Sequence, residues 1–196
     1  MTLWDTYLKD TKNSNPRPLL VEALSYVKEH NRVLDLGCGA LNDERTLFDA
    51  GFNSIDAVDS NPSIRELAEQ FPEYNSRLYF YAKKFSEFEF PNNSYDLVSA
   101  QFSLPFISPS DFDSVWKEIV SSISSGGVFT GNFFGPHDAW AYRPNMSFHS
   151  KDKVESLFPH ECWDMHTFID KEYDRPTAAG EPKHWHVINV IATKLL

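Results

Sequence analysis

Two carboxylates flank a glycine bend in this chain. Asp35 precedes the bend in Val33-Leu34-Asp35-Leu36-Gly37-Cys38-Gly39-Ala40, and Asp59 closes the next apolar run in Ala57-Val58-Asp59-Ser60-Asn61-Pro62. Glycines at the carboxyl end of a strand let a ligand approach the backbone where a Cβ would block it, and ligands of open α/β sheets bind at such ends. A pyrophosphate-binding turn requires Gly-x-Gly-x-x-Gly, and the third position here is Asn42. A carboxylate two residues before the first glycine also repels phosphate and favours a cation. Asp59 stands where a carboxylate accepts hydrogen bonds from both hydroxyls of a ribose. The plainer alternatives are an ordinary strand-to-helix turn at Gly37 and Gly39, and a helix-capping role for Asp59 that is compatible with ligand binding.

A second set of chemistry-bearing residues lies toward the C-terminus. The segment 135–150 is an irregular stretch with His137, Trp140, Tyr142 and Arg143, and long irregular loops of this kind often cover or line binding sites. His184-Trp185-His186 opens an apolar run. The expectation is that His137, Trp140 and Arg143 face an acceptor, with His184 or His186 opposite them. Ser103 to Phe106 and an N-terminal arm with Trp4 and Tyr7 supply further candidates. Alternate strand residues share a face, so His184 and His186 point the same way. Two histidines make an incomplete metal site, and no metal is expected. Cys38, beside an acid, is a poor nucleophile, and Cys162 reads as an ordinary thiol. No residue is assigned as a general base, because a thiolate, amine or oxyanion acceptor needs none.

These residues must be positioned by alternating strands and helices. Leu20, Leu24 and Val27 recur at helical spacing. Strands are expected at 32–36, 54–58, 78–82, 95–100 and 128–134. Helices are expected at 43–50, from Asn61 as cap and Pro62 at the first turn, and through Phe112, Val115, Trp116, Ile119, Val120 and Ile123, with Gly126-Gly127 as the break. The last third reads as a short helix from Lys151 to Phe158 and a hairpin of Trp163–Glu172 and His186–Thr193 around a Pro- and Gly-containing loop. The fold class is α/β: a Rossmann-like three-layer sandwich whose seven-stranded, mostly parallel sheet takes an antiparallel C-terminal strand. One domain over 1–196 is expected, with residues 1–30 as an arm and helix capping the cofactor site.

Composition narrows the partners. With 28 acidic and 18 basic residues the net charge is −10, so the chain lacks the basic footprint for nucleic acid and gains nothing from an anionic membrane. Two cysteines far apart, no targeting pattern and no membrane-length apolar run give a cytoplasmic expectation. Oligomeric state cannot be read from the sequence.

Asp35-Leu36-Gly37-Cys38-Gly39, Asp59 and Tyr95-Asp96-Leu97-Val98 resemble the successive motifs of class I S-adenosylmethionine-dependent methyltransferases. Ser103-Leu104-Pro105-Phe106-Ile107 and Gly180-Glu181-Pro182-Lys183-His184-Trp185-His186-Val187 look closer still to tellurite-resistance-related small-molecule methyltransferases. The resemblance implies that Asp35, Gly37, Cys38 and Gly39 hold the methionine end of S-adenosyl-L-methionine. It assigns the ribose to Asp59, with Ser60 and Asn61 at that edge. Lys84 and Phe85 take the adenine position, and Gln101 and Phe102 line the methyl-transfer region. Lys84 departs from the family, which often has an acid there to accept from the adenine amino group; backbone groups and Phe85 packing then take that part. The implied function is methyl transfer by in-line displacement to a small-molecule acceptor. The alternative is a catalytically silent module that binds S-adenosylmethionine as a sensor or docking protein.

Overall fold

A computed structural model describes Leu8, Thr11 and residues 14–195; Trp4 and Tyr7 lie outside the described residues. The elements in chain order are α1 (Pro18–Ala23), β1 (Arg32–Leu36), α2 (Glu44–Asp49), β2 (Ser54–Asp59), α3 (Ile64–Ala68), β3 (Leu78–Ala82), β4 (Tyr95–Ala100), α4 (Phe112–Ser122), β5 (Ile123–Phe134), α5 (Lys151–Ser156), β6 (Trp163–Asp174) and β7 (His184–Lys194). They build one seven-stranded sheet in the order β3-β2-β1-β4-β5-β7-β6. Pairings from β3 through β5 are parallel, and β7 inserts antiparallel between β5 and β6.

Alternation along β1 explains the two apolar layers. Leu34 and Leu36 enter the layer that contains Phe112, Trp116 and Ile119 of α4 and Val154 of α5. Val33 faces the other way, into the layer with Leu20, Leu47, Ile64 and Phe52. The central strands are buried on both faces, so they read as apolar runs. No helix among the described residues is long and apolar enough to cross a membrane.

Several boundaries differ from the sequence expectation. The α4 helix ends at Ser122, and Ile123, expected on its stripe, is the first residue of β5. The pair Gly126-Gly127 does not separate helix from strand; it sits inside β5, where the register with β4 shifts between Tyr95↔Ile123 and Leu97↔Val128. Gly126 has φ +78, and a Cβ on Gly127 would lie 2.8 Å from the Tyr95 carbonyl oxygen, so this bulge needs both glycines. The α3 helix starts at Ile64 rather than at Pro62, because the Asn61 side chain accepts from the Ser63 N–H and closes a turn first. Leu24 lies in a 3₁₀ turn after α1, and Val27 beyond it. The hairpin strands extend further than expected toward their connecting loop, since antiparallel pairing continues to Asp174↔His184.

Charge is buried between β1, β2 and β4. Asp56 is fully buried and accepts from Arg32 at 2.6 Å and from the Tyr95 hydroxyl at 2.7 Å. A buried carboxylate without donors is strongly destabilising, so Tyr95 locks the start of β4 to β2 across β1. Tyr95→Phe should lower stability by about 1–3 kcal/mol, read as a lower denaturant midpoint with an unchanged m-value in equilibrium unfolding.

Candidate active site

Strand order reverses between β1 and β4, so the crevice beyond their carboxyl ends is where an open α/β sheet receives its ligand. The bend after β1 lies there. Gly37 has φ +81, and a Cβ on it would stand 2.3 Å from the Ser103 Cβ, so the loops after β1 and β4 are packed against each other. The loop amides are engaged inside the protein. The Gly37 and Cys38 N–H groups donate to the Val58 carbonyl at 2.7 and 3.3 Å, and the Gly39 N–H donates to Asp59 at 3.2 Å. A phosphate cradle needs such amides to face outward. This bend presents carboxylates instead.

Asp35, Asp43 and Glu44 are all buried beside the bend. Neither Glu44 oxygen finds an N–H or hydroxyl donor among the described residues. Glu44 and Asp35 are buried carboxyls whose mutual repulsion favours a proton on one of them. Burial first, then repulsion from Asp43, pushes the Asp35 carboxyl up to about 8; burial and the Asp35 charge push Glu44 well up too. Arg17 answers part of this charge: its backbone N–H donates to Asp43 at 2.9 Å, and its guanidinium lies 5.4 Å from the Phe102 ring centroid. The cradle therefore holds more acid than the described residues neutralise, an arrangement that a cationic ligand relieves. Cys38, expected to be unreactive, is buried among these acids, and its thiol is pushed well up by burial first and the Glu44 charge second.

Asp59 ties the bend to the next turn. Its carboxylate accepts from Gly39 and from the Asn61 N–H at 2.9 Å, which leaves each oxygen a second lone pair. Ser60 is exposed and Asn61 half-buried at this edge. Lys84 is exposed and approaches Glu87 at 4.0 Å, while Phe85 packs on the layer of α4. Gln101 is buried; its amide donates to Thr130 at 3.3 Å, and its oxygen meets no donor among the described residues. Phe102 has φ +57, and its N–H donates to the Asn132 side chain at 3.1 Å. The Phe102 ring packs edge-on against Phe134 and Trp185, under the Arg17 guanidinium.

The acceptor candidates separate into two groups. Trp185 approaches Phe102 at 5.8 Å, Phe134 at 5.6 Å and Trp140 at 5.7 Å between ring centroids. Arg143 lies over the Trp140 ring at 4.4 Å. Behind this wall, Lys183 is buried against Trp185 and bonded to Asp138 at 2.5 Å. Strand alternation sends His184 and His186 to the opposite face from Trp185. There they meet Glu172, and His137 joins them, 2.9 Å from the same carboxylate. His137 and Arg143, grouped by sequence, thus belong to different surfaces. Sequence reasoning missed Asp43, Glu44, Arg17, Lys183, Asp138 and Glu172. Glu172 carried a signal: Asp170, Glu172 and Asp174 alternate on β6 as the histidines do on β7.

A family described as a methyltransferase domain matches residues 33–127, from β1 to the bulge of β5. Sterol 24-C-methyltransferase erg6 of Aspergillus fumigatus is 30% identical over 106 residues, which are 53% of this chain and 28% of that protein. The chain spans under a third of the length of the curated relatives it matches. TehB from Haemophilus influenzae shares the fold with a TM-score of 0.76 at 14% identity, over 97% of this chain and 67% of TehB. The 1,6-didemethyltoxoflavin-N1-methyltransferase of Burkholderia thailandensis, solved with 1,6-didemethyltoxoflavin and S-adenosylhomocysteine, gives 0.65 at 19% identity, over 98% and 87%. Residues 33–127 thus match a methyltransferase-domain family, and the chain has the fold of solved S-adenosylmethionine-dependent methyltransferases.

The raised Asp35 pKa makes stability depend on pH. The folded chain keeps a proton that the unfolded chain releases near its usual value of 3.8. The contribution is therefore complete below that value and is lost as pH rises through about 8. The contribution of Asp35 to the melting temperature of the ligand-free protein should fall between pH ~4 and ~8 and level off above that, and Asp35→Asn should flatten this slope.

Proposed function

We propose that this chain is an S-adenosylmethionine-dependent methyltransferase acting on a small-molecule acceptor. The observation that carries the reading is the acid-rich cradle at the switch point, whose glycine amides turn inward. A buried excess of carboxyl groups suits an ammonium and a sulfonium, and it disfavours a dinucleotide. The relatives named above support the cofactor, and the 1,6-didemethyltoxoflavin enzyme supports a small acceptor.

Within this reading Asp35, Gly37, Cys38 and Gly39 receive the methionine end, with Glu44 and Asp43 deepening the negative potential. Asp59 accepts from the ribose hydroxyls with its remaining lone pairs, beside Ser60 and Asn61. Phe85 and the backbone at Lys84 border the adenine, and Gln101 and Phe102 border the reacting centre. The segment 14–30 closes the cradle through Arg17. When bound, S-adenosylmethionine supplies a methyl group whose bond to sulfur breaks as an acceptor lone pair forms the new bond. The chain's own part is to hold the acceptor in line and exclude water. The tilted, edge-to-face cluster of Phe102, Trp140 and Trp185, backed by the buried Phe134, offers an aromatic surface for this, and Arg143 at its rim favours an acceptor with a negative or electron-rich end.

Hydrogen bonds to a charged group contribute about 1.5–3 kcal/mol, so Asp59→Ala should weaken S-adenosylhomocysteine binding by roughly 10- to 150-fold in calorimetry. Absence of affinity for both S-adenosylmethionine and S-adenosylhomocysteine in the intact protein, or a thermal shift with NAD instead, would overturn the proposal. A screen for S-adenosylhomocysteine release over thiols, amines, oxyanions and carboxylates identifies the acceptor. Binding with no turnover over that panel would mark the silent module. With an acceptor in hand, Arg143→Ala should raise its KM several-fold and leave cofactor affinity unchanged, as loss of a ground-state contact requires.

A further inference from the structure

On the face of the terminal hairpin turned away from the aromatic wall, three elements converge. His137 comes from the segment 135–150, Glu172 from β6 and His186 from β7, and one ligand atom of each lies within 4.8 Å of the others. The His137 Nδ1 is 2.9 Å, and the His186 Nδ1 3.8 Å, from the same Glu172 oxygen. Ligands around a tetrahedral ion with bonds of about 2.0–2.1 Å stand about 3.3 Å apart. The two measured separations bracket that spacing.

The surroundings are arranged as metal ligands require. His186 is 5% exposed, and its Nε2 pairs with Asp170 at 2.8 Å. The backbone N–H of His137 donates to the His186 Nδ1 at 3.2 Å. That contact fixes the tautomer: Nδ1 carries the lone pair, and Nε2–H donates to Asp170. A carboxylate behind a histidine in this way orients the ring and raises its basicity toward an ion. The ring is seated by Gly135, where a Cβ would fall 2.3 Å from it. The other Glu172 oxygen is held by His184 at 3.1 Å, and His184 in turn by Asp174 at 2.8 Å. The His137 and Glu172 side chains are 67% and 43% exposed, so an ion has an entry path and the ligands have room to adjust.

We propose that His137, Glu172 and His186 form a site for a late first-row divalent cation such as Zn²⁺. Two imidazoles and one carboxylate select that class over Mg²⁺ or Ca²⁺, which take oxygen ligands. Three protein ligands leave a position open to water. On entry of the ion the His137 amide gives up its bond to His186, and the metal takes over the link between segment 135–150 and the hairpin. The same segment carries Trp140, so occupancy stiffens the rim of the aromatic wall from behind.

The test uses the full chain with any affinity tag removed. Titration with ZnCl₂ in a calorimeter should give one ion per chain and raise the melting temperature. His137→Ala and Glu172→Gln should each weaken binding by at least about tenfold, since even outer-shell partners are worth that much. Cys162→Ser is the control, because Cys162 is an exposed free thiol outside the cluster, and it should change nothing. Co²⁺ in place of Zn²⁺ should give visible absorption without a thiolate charge-transfer band. No binding at sub-millimolar Zn²⁺, binding indifferent to both ligand variants, or binding lost in Cys162→Ser would each overturn the assignment. Both side chains replaced in the ligand variants are substantially exposed, so the variants should fold.

Discussion

Removing negative charge from water is costly unless something answers it, and this protein does so at the end of β1. Asp35, Asp43 and Glu44 are packed behind a glycine bend whose own amides are turned toward β2 and Asp59. Protonation, favoured by burial, and the nearby Arg17 lessen that charge in the free chain. A cation can replace that proton. The bend, the pairing of β1 with β4 and the closeness of Gly37 to Ser103 all serve to keep the acids in place and dry.

The rest of the sheet extends this constraint outward. Asp59 links the bend to the end of β2, so the acidic cradle is tied to the turn at Ser60 and Asn61. Asn132 holds the Phe102 amide and bonds to Asn189 on β7 at 2.7 Å. Through that pair the crevice is connected to the hairpin, and the hairpin carries both the aromatic wall and the histidine cluster. One strand inserted backwards thus creates two surfaces, because its alternate residues face opposite ways.

Lys183 shows how tightly the wall is fixed. A buried lysine is tolerated only with a partner, and here Asp138 supplies it while also accepting from the Trp140 N–H at 2.9 Å. Asp138 therefore fastens the start of segment 135–150 to β7 on one side, and His137 reaches Glu172 on the other. The segment is irregular in backbone but held at successive residues.

The sequence by itself determined the alternation of elements, the glycine bend with Asp35 before it and Asp59 after it, the reversed C-terminal strand and the stripe of α4. Each is written in local spacing: apolar runs, periods near 3.6, glycines where a Cβ cannot fit. Only the tertiary structure decided which side chains meet. Glu44 lies by Asp35 because α2 packs back on the bend, and Gly126-Gly127 became a bulge because β4 imposes a register. His137 parted from Arg143 because His137 joins His186 while Arg143 lies on Trp140 beside Trp185, which the two-residue period of β7 turns to the opposite face. Glu172 came to the histidines because a hairpin pairs residues by position across the turn. Contacts of that kind are set by strand order and pairing, which depend on the whole sheet and not on any short stretch of chain.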